Sequence, residues 1–240
     1  MPSAIHNRVA TLRRTDLFRD FPEDELVEIA HHAIARRFRR DERLAIEGEP
    51  AKGLYVLVEG SVRIFREAWD GREQVLRIDR AIASLAELPF LDGGPHPASI
   101  SACCECQTLW LHFPGSGLKW KSSPQFATNA LEIMARRVRE AVELVHALSL
   151  LHVDQRVAQY LLNTAESSGA ASFELEMSNQ QIGAIVGAVR EVISRSLSKL
   201  QRDGLIQLEG RKVSILDSDS MREFVRSHRD RTERAFTAKA

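Results

Sequence analysis

Long apolar runs are missing from this chain of 240 residues, and none approaches the ~18–20 residues that a membrane span requires. The opening stretch MPSAIHNRVATLRRTD lacks the apolar core of a signal peptide, so a cytoplasmic protein is expected. Excess charge is missing too: Lys and Arg number 33, as do Asp and Glu, and the net charge is zero. That balance argues against a protein that coats nucleic acid indiscriminately. It leaves room for a sequence-specific reader, whose basic groups are few and local. Cysteine is scarce, and its three copies (Cys103, Cys104, Cys106) form one odd-numbered cluster that implies no disulfide framework. There is no internal repeat and no low-complexity run. Nor is there a Ser/His/Asp order, a metal-ligand spacing or a Gly-rich phosphate loop, so neither an enzyme nor a metal site is expected.

What is present falls into blocks. Residues Asp16 to Ala35 read as short helices, with Leu17, Phe18 and Phe21 before Pro22 and Leu26, Ile29 and Ala30 after it. From 36 to 115, short strands alternate with turn signals every 8–12 residues, including Glu59-Gly60, Asp70-Gly71 and Asp92-Gly93-Gly94-Pro95, which predicts an antiparallel sandwich or barrel. A long helix is predicted from Pro124 to Leu151. Its apolar residues Leu131, Met134, Val138, Ala141, Val145, Leu148 and His152 recur at alternating spacings of three and four. That is the seam of a two-stranded coiled coil, and the competing reading packs it on the chain's own β-domain.

The stretch SNQQIGAIVGAVREVISRSLSKLQRDGLI (178–206) reads as two short helices around a tight turn. Ser178 and Gln181 form a capping box, Ile182, Ile185 and Val186 give an apolar face, and Gly187 occupies the turn. The second helix opens at Arg190 and buries Ile193, Leu197 and Leu200. At 100° per residue, Arg190, Glu191 and Arg195 fall in an arc of roughly 140° away from that face. Two arginines and a glutamate suit base edges in a major groove. A hairpin follows at 205–215 and reads as a wing, with Arg211 and Lys212 at its turn. The expected phosphate contacts are Ser178, Gln180, Ser194, Lys199, Arg211 and Lys212. A solvated charged face on an ordinary helical pair is the plainer reading of the same pattern.

The order of blocks, together with IEGEPAKGLYVLVEGSVRIF (46–65), ELPFLDGGPHPAS (87–99) and IGAIVGAVREVISRSLSKLQRDGLI (182–206), resembles the CRP/FNR family of bacterial transcription regulators. The resemblance implies an α+β protein: an N-terminal antiparallel β-roll like a cyclic-nucleotide-binding domain with its helical lead (1–123), a dimerisation helix (124–152), a winged helix-turn-helix (153–217) and a charged C-terminal helix or tail (218–240). It further implies a homodimer on a palindromic double-stranded DNA site with TGTGA-like half-sites, RNA polymerase as a partner, and Arg190, Glu191 and Arg195 as base readers. Val189 and Val192 stand where the family's cyclic-AMP receptors carry hydroxyls.

Such receptors hold the cyclic phosphate with a Gly-Glu and an Arg-Ser pair, and a Thr-Ser pair on the dimer helix meets the adenine. The matching positions here are Ala86-Glu87, His96-Pro97 and Ala141-Val142, which with Leu88 make the candidate effector pocket. An anionic phosphate needs a cation or several N–H donors. A neutral His96 and a Pro97 without N–H supply neither, so cyclic AMP in the usual mode is not expected. Other inputs stay open. Haem is one, since GREQVLRI (71–78) and PHPAS (95–99) resemble the nitric-oxide-responsive branch; its candidate ligands are His31, His32, His96, His152 or the amine of Pro2. Redox chemistry at Cys103, Cys104 and Cys106 is another, with Cys104 and Cys106 on one strand face. A hydrophobic molecule among Leu85, Leu88, Phe90, Val142 and Val145 is a third, and no ligand at all a fourth. A cyclic-nucleotide-responsive regulator, or a module whose helix-turn-helix contacts protein, are the alternatives to an effector-controlled DNA reader.

Overall fold

The structure is a computed structural model that describes residues 2–112 and 122–226. Its contacts divide it into two units, one holding the residues up to Gly71 with Val75–Ala141, the other Arg72–Gln74 with Val142 onward.

The first unit is built on two antiparallel four-stranded sheets, β1-β8-β3-β6 and β2-β7-β4-β5. In chain order the strands are β1 (Ala33–Phe38), β2 (Arg43–Ala45), β3 (Gly53–Glu59), β4 (Ser61–Glu67), β5 (Glu73–Arg80), β6 (Ala83–Leu85), β7 (Ser99–Ala102) and β8 (Cys106–His112). The uninterrupted apolar run of β3 has a simple cause. Side chains alternate across a strand, and here both faces are covered. Leu54 and Val56 join a core with the helices, whereas Tyr55 and Leu57 join the core of the roll with Val62, Ile64, Leu85 and Ile100. The helical layer comprises α1 (Pro2–Arg13), α2 (Glu23–His32), α3 (Glu87–Asp92) and the first half of α4 (Pro124–Leu150). Asn129 of α4 is buried and donates to the carbonyls of Leu17 (3.1 Å) and Arg19 (2.9 Å), which ties α4 to the loop after α1.

Three expectations need correction here. The helical lead begins earlier than Asp16: Val9 and Leu12 of α1 are buried, and Arg8 donates to the carbonyls of Ala30 and Ala33. The sheet begins at Ala33, not 36, because the carbonyl partners of β1 come from β8, which pairs Ala33 with Leu111. Cys103 and Cys104 are not on a strand. They form the bend between β7 and β8, so Cys104 is exposed while Cys106, the first residue of β8, is buried.

Helix α4 divides its surface. Phe126, Asn129, Ala130 and Ile133 are buried, with Met134 packed partly against them. Leu131, Val138 and Val145 are 71%, 62% and 63% exposed, and Ala141 and Val142 face solvent as well. His152 lies outside the seam, because α4 stops at Leu150 and His152 is the N-cap of the next helix.

The second unit contains α5 (Val153–Ser168), β9 (Ser172–Glu174), α6 (Asn179–Val186), α7 (Arg190–Arg202), β10 (Ile206–Glu209), β11 (Lys212–Ile215) and α8 (Ser218–Arg226). The three strands pair in the order β10-β11-β9. Val157, Leu161, Ile182, Ile193, Leu197, Leu200 and Val213 form the core. Met221 of α8 belongs to that core and is fully buried, so the first turns of the charged tail are an integral part of the domain. The rest of the tail, 227–240, and Phe113 at the end of the expected last strand lie outside the described residues.

Candidate nucleic-acid interface and effector pocket

The capping box that opens α6 is formed. The Gln181 N–H donates to Ser178 Oγ (3.3 Å), and Gln181 Oε1 accepts from the Ser178 N–H (2.9 Å). Gly187 closes α6 in the left-handed region at φ 69°. Gly183 matters as much, although nothing in its immediate neighbours announces it. A Cβ at Gly183 would sit 2.3 Å from the carbonyl oxygen of Ala188, so only glycine lets the chain leaving the turn cross α6 this closely. Val189 precedes α7 and offers no side-chain cap, as its missing hydroxyl implies.

Helix α7 turns Ile193, Ser196, Leu197 and Leu200 inward. Arg190, Glu191, Ser194 and Arg195 are exposed. Arg190, Glu191 and Arg195 make no hydrogen bond or ion pair with another described residue, so the three residues expected to read bases share one exposed face. The expected phosphate contacts divide. Ser178, Ser194 and Arg211 line one cleft of about 140 Å³ between the start of α6, α7 and the wing turn. Gln180 and Lys212 are exposed. Two of the cations expected at phosphates are already engaged within the chain. The Arg211 guanidinium donates to the Leu175 carbonyl and so braces the wing against the end of β9. The Lys199 ammonium lies 2.5 Å from Asp154 Oδ2.

In the first unit, Glu87 is buried and already has partners. Its Oε1 accepts from Ser84 Oγ (2.9 Å) and lies 3.6 Å from Arg137 Nη2, while Oε2 lies 3.9 Å from Arg77 Nη2. Beside it, buried Asp79 pairs with Arg77 (3.0 Å) and Arg137 (3.1 Å). Burial pushes the Arg137 guanidinium down, but Asp79 and Glu87 more than offset this and hold it above its ordinary value. Two guanidiniums and two carboxylates thus neutralise one another, with no cation in surplus. The sequence signal for this was present but weak: on β5 the alternation places Val75, Arg77 and Asp79 on one face, while the third partner is 58 residues away on α4. Ala86, which stands where the receptor pattern has glycine, is in the left-handed region at φ 65°.

His96 is buried, and burial pushes its imidazole below the ordinary value while Glu49 opposes. Leu88, Pro97, Ala141 and Val142 are exposed, and Leu85 and Phe90 are in closed cores. His31 and His32 are exposed at the end of α2, where His32 Nδ1 lies 2.8 Å from the Glu28 carbonyl oxygen, and His152 is exposed at the start of α5. Cys103 and Cys106 are pushed up by burial, which disfavours the thiolate at both. No described helix is long and apolar enough to cross a membrane.

A β-roll joined through a long helix to a capped helix pair and a wing defines a two-part regulator with a sensor-type domain and a DNA-reading domain. Comparison with known proteins agrees in both halves. Residues 35–114 match the cyclic nucleotide-binding domain family and residues 155–224 the Crp-like helix-turn-helix domain family. The chain is 28% identical over 215 residues to a CRP-like cAMP-activated global transcriptional regulator of Mycobacterium tuberculosis, covering 88% of this chain and 96% of that one. It is 28% identical to the transcriptional activator protein Anr of Pseudomonas aeruginosa, over 81% of each chain. Among solved structures, FixK2 from Bradyrhizobium japonicum superposes with a TM-score of 0.67 at 25% identity, covering 80% of this chain and 96% of that one. The chain belongs to the CRP/FNR family of transcription regulators.

Proposed function

We propose that this DNA-binding regulator acts as a homodimer on a palindromic site and answers to an input other than cyclic AMP in the usual mode. The observation that carries the DNA half is the outer face of α7, where Arg190, Glu191 and Arg195 are exposed and have no partner among the described residues, over a fully buried inner face. Each arginine would offer a guanidinium to guanine O6 and N7, and Glu191 would accept from a cytosine or adenine amino group. Two copies of α7, related by a two-fold axis, would enter successive major grooves about 34–36 Å apart. The apolar residues of α4 support pairing of two copies along that helix, since Leu131, Val138, Val142 and Val145 are largely exposed among the described residues. RNA polymerase is the partner that the family membership suggests.

The input reading rests on charge. The M. tuberculosis relative is described as cAMP-activated, but here the half-buried cations beside Glu87 among the described residues, Arg77 and Arg137, are committed to Asp79 and Glu87 themselves. A cyclic phosphate would have to be desolvated without compensation.

The DNA half is tested by replacing Arg190 or Arg195 with alanine and measuring affinity for a set of duplexes changed one base pair at a time. A reader loses roughly 1–3 kcal/mol and relaxes its preference at one position. Uniform weakening on every sequence would make both arginines phosphate contacts and overturn the assignment.

A further inference from the structure

We infer that Asp154 is a positioning residue for base reading: it latches the start of α5 to the back of α7 and fixes the rotation of that helix. The inference rests on α7 being the helix that meets DNA. Asp154 is the second residue of α5, four positions after α4 ends. Its Oδ1 accepts from Ser196 Oγ at 2.6 Å and its Oδ2 from Lys199 Nζ at 2.5 Å. Ser196 and Lys199 are three apart and therefore share a face of α7. Ser196, 1% exposed, lies opposite the arc of Arg190, Glu191 and Arg195, while Lys199 lies at the edge of that arc, one turn beyond Arg195.

Why a latch is needed follows from the rest of α7. Its N-cap Val189 fixes nothing, and its core contacts are apolar, hence non-directional. Hydrogen bonds have direction, and two on one carboxylate define a rotational setting. A turn of α7 by roughly 20° would carry a side chain ~5–6 Å from the axis by about 2 Å, beyond what a bidentate arginine–guanine pair tolerates. The same arrangement keeps Lys199 off the DNA. Burial pushes the Asp154 carboxyl up, but hydrogen bonds from Lys199 and Ser196 more than offset it and keep the group ionised. The Lys199 charge is thereby spent inside the protein. Asp154 thus holds the register of the readers and withholds a cation that would bind any sequence equally.

The test measures full-length protein on a specific and a scrambled duplex by fluorescence anisotropy over a range of salt. Lys199→Met should lower the ratio of non-specific to specific Kd about tenfold, a coupling typical of a shared hydrogen-bonded network, and leave the salt slope unchanged. Asp154→Asn should lower the ratio similarly and steepen the slope by about 0.9 per chain, because a freed Lys199 gains a phosphate. A Lys199→Met protein with a shallower slope and an unchanged ratio would make Lys199 an ordinary phosphate contact and overturn the inference. So would an Asp154→Asn protein that loses thermal stability with ratio and slope intact. Wild-type protein that fails to distinguish the two duplexes would instead overturn the assignment of α7 as reader, and with it this inference.

Discussion

Replacing Val138 and Val145 together with glutamate should break the dimer and spare the fold. Both side chains are more than 60% exposed in the single chain, at 62% and 63%, so their loss removes nothing from its core. Full burial of a valine is worth roughly 1.5–3 kcal/mol, so covering the exposed part contributes about 1 kcal/mol for each valine in each copy. Across two copies the double substitution forfeits about 4 kcal/mol, which is a dimer Kd weaker by roughly three orders of magnitude. Carboxylates facing one another across the seam add to that. Sedimentation equilibrium over a concentration series reads the effect, and thermal unfolding of the monomer provides the control, expected within about 0.5 kcal/mol of wild type. A variant that dimerises with unchanged Kd would place the interface elsewhere and refute the seam. A variant that loses its fold would refute the claim that this face is free.

Other consequences are smaller but as sharp. Ala86→Gly should stabilise the protein by about 1 kcal/mol, raising Tm by about 2–4 °C, because a left-handed alanine carries steric strain that glycine lacks; a lowered Tm would contradict this. His96 is held below its ordinary value of 6.5, so the unfolded chain takes up its proton first. Its contribution is therefore complete above that pH and lost as pH falls through 6.5 towards the lowered value. His96→Gln should flatten the fall in denaturation free energy between neutral and mildly acid pH, and an identical fall in both proteins would show that His96 is not responsible. Cyclic AMP at millimolar concentration should neither give binding heat nor raise DNA affinity. A saturable isotherm abolished by Glu87→Ala would restore the usual mode.

What could be read from the sequence was local. The Ser178–Gln181 box, the Gly187 turn and the α4 seam depend on residues within a few positions of one another, and periodicity exposes them. The exposed face of α7 that carries Arg190, Glu191 and Arg195 is legible because one amphipathic helix separates its faces at a fixed angle per residue. What stayed hidden were contacts distant in sequence. Lys199 looks like a free cation until Asp154, 45 residues earlier, is placed beside it. Glu87 looks like a ligand's partner until Arg137 arrives from α4. Arg211 looks like a wing-tip cation until its guanidinium folds back on Leu175. The cysteine cluster was misjudged for a different reason: a bend at 103–105 interrupts the strand on which alternation was counted. Gly183 escaped because its constraint, the Ala188 carbonyl, comes from the chain leaving the turn rather than from the helix that carries it.

The central claim, that two copies of α7 read DNA as a symmetric pair, is tested most directly by selecting binding sites from random duplex DNA with wild-type protein at physiological salt. The account predicts an enriched palindrome with G·C pairs in each half, the half-sites one helical turn apart, about 10–10.5 base pairs centre to centre. Enrichment of a single unrepeated half-site, or of no sequence at all, would contradict it.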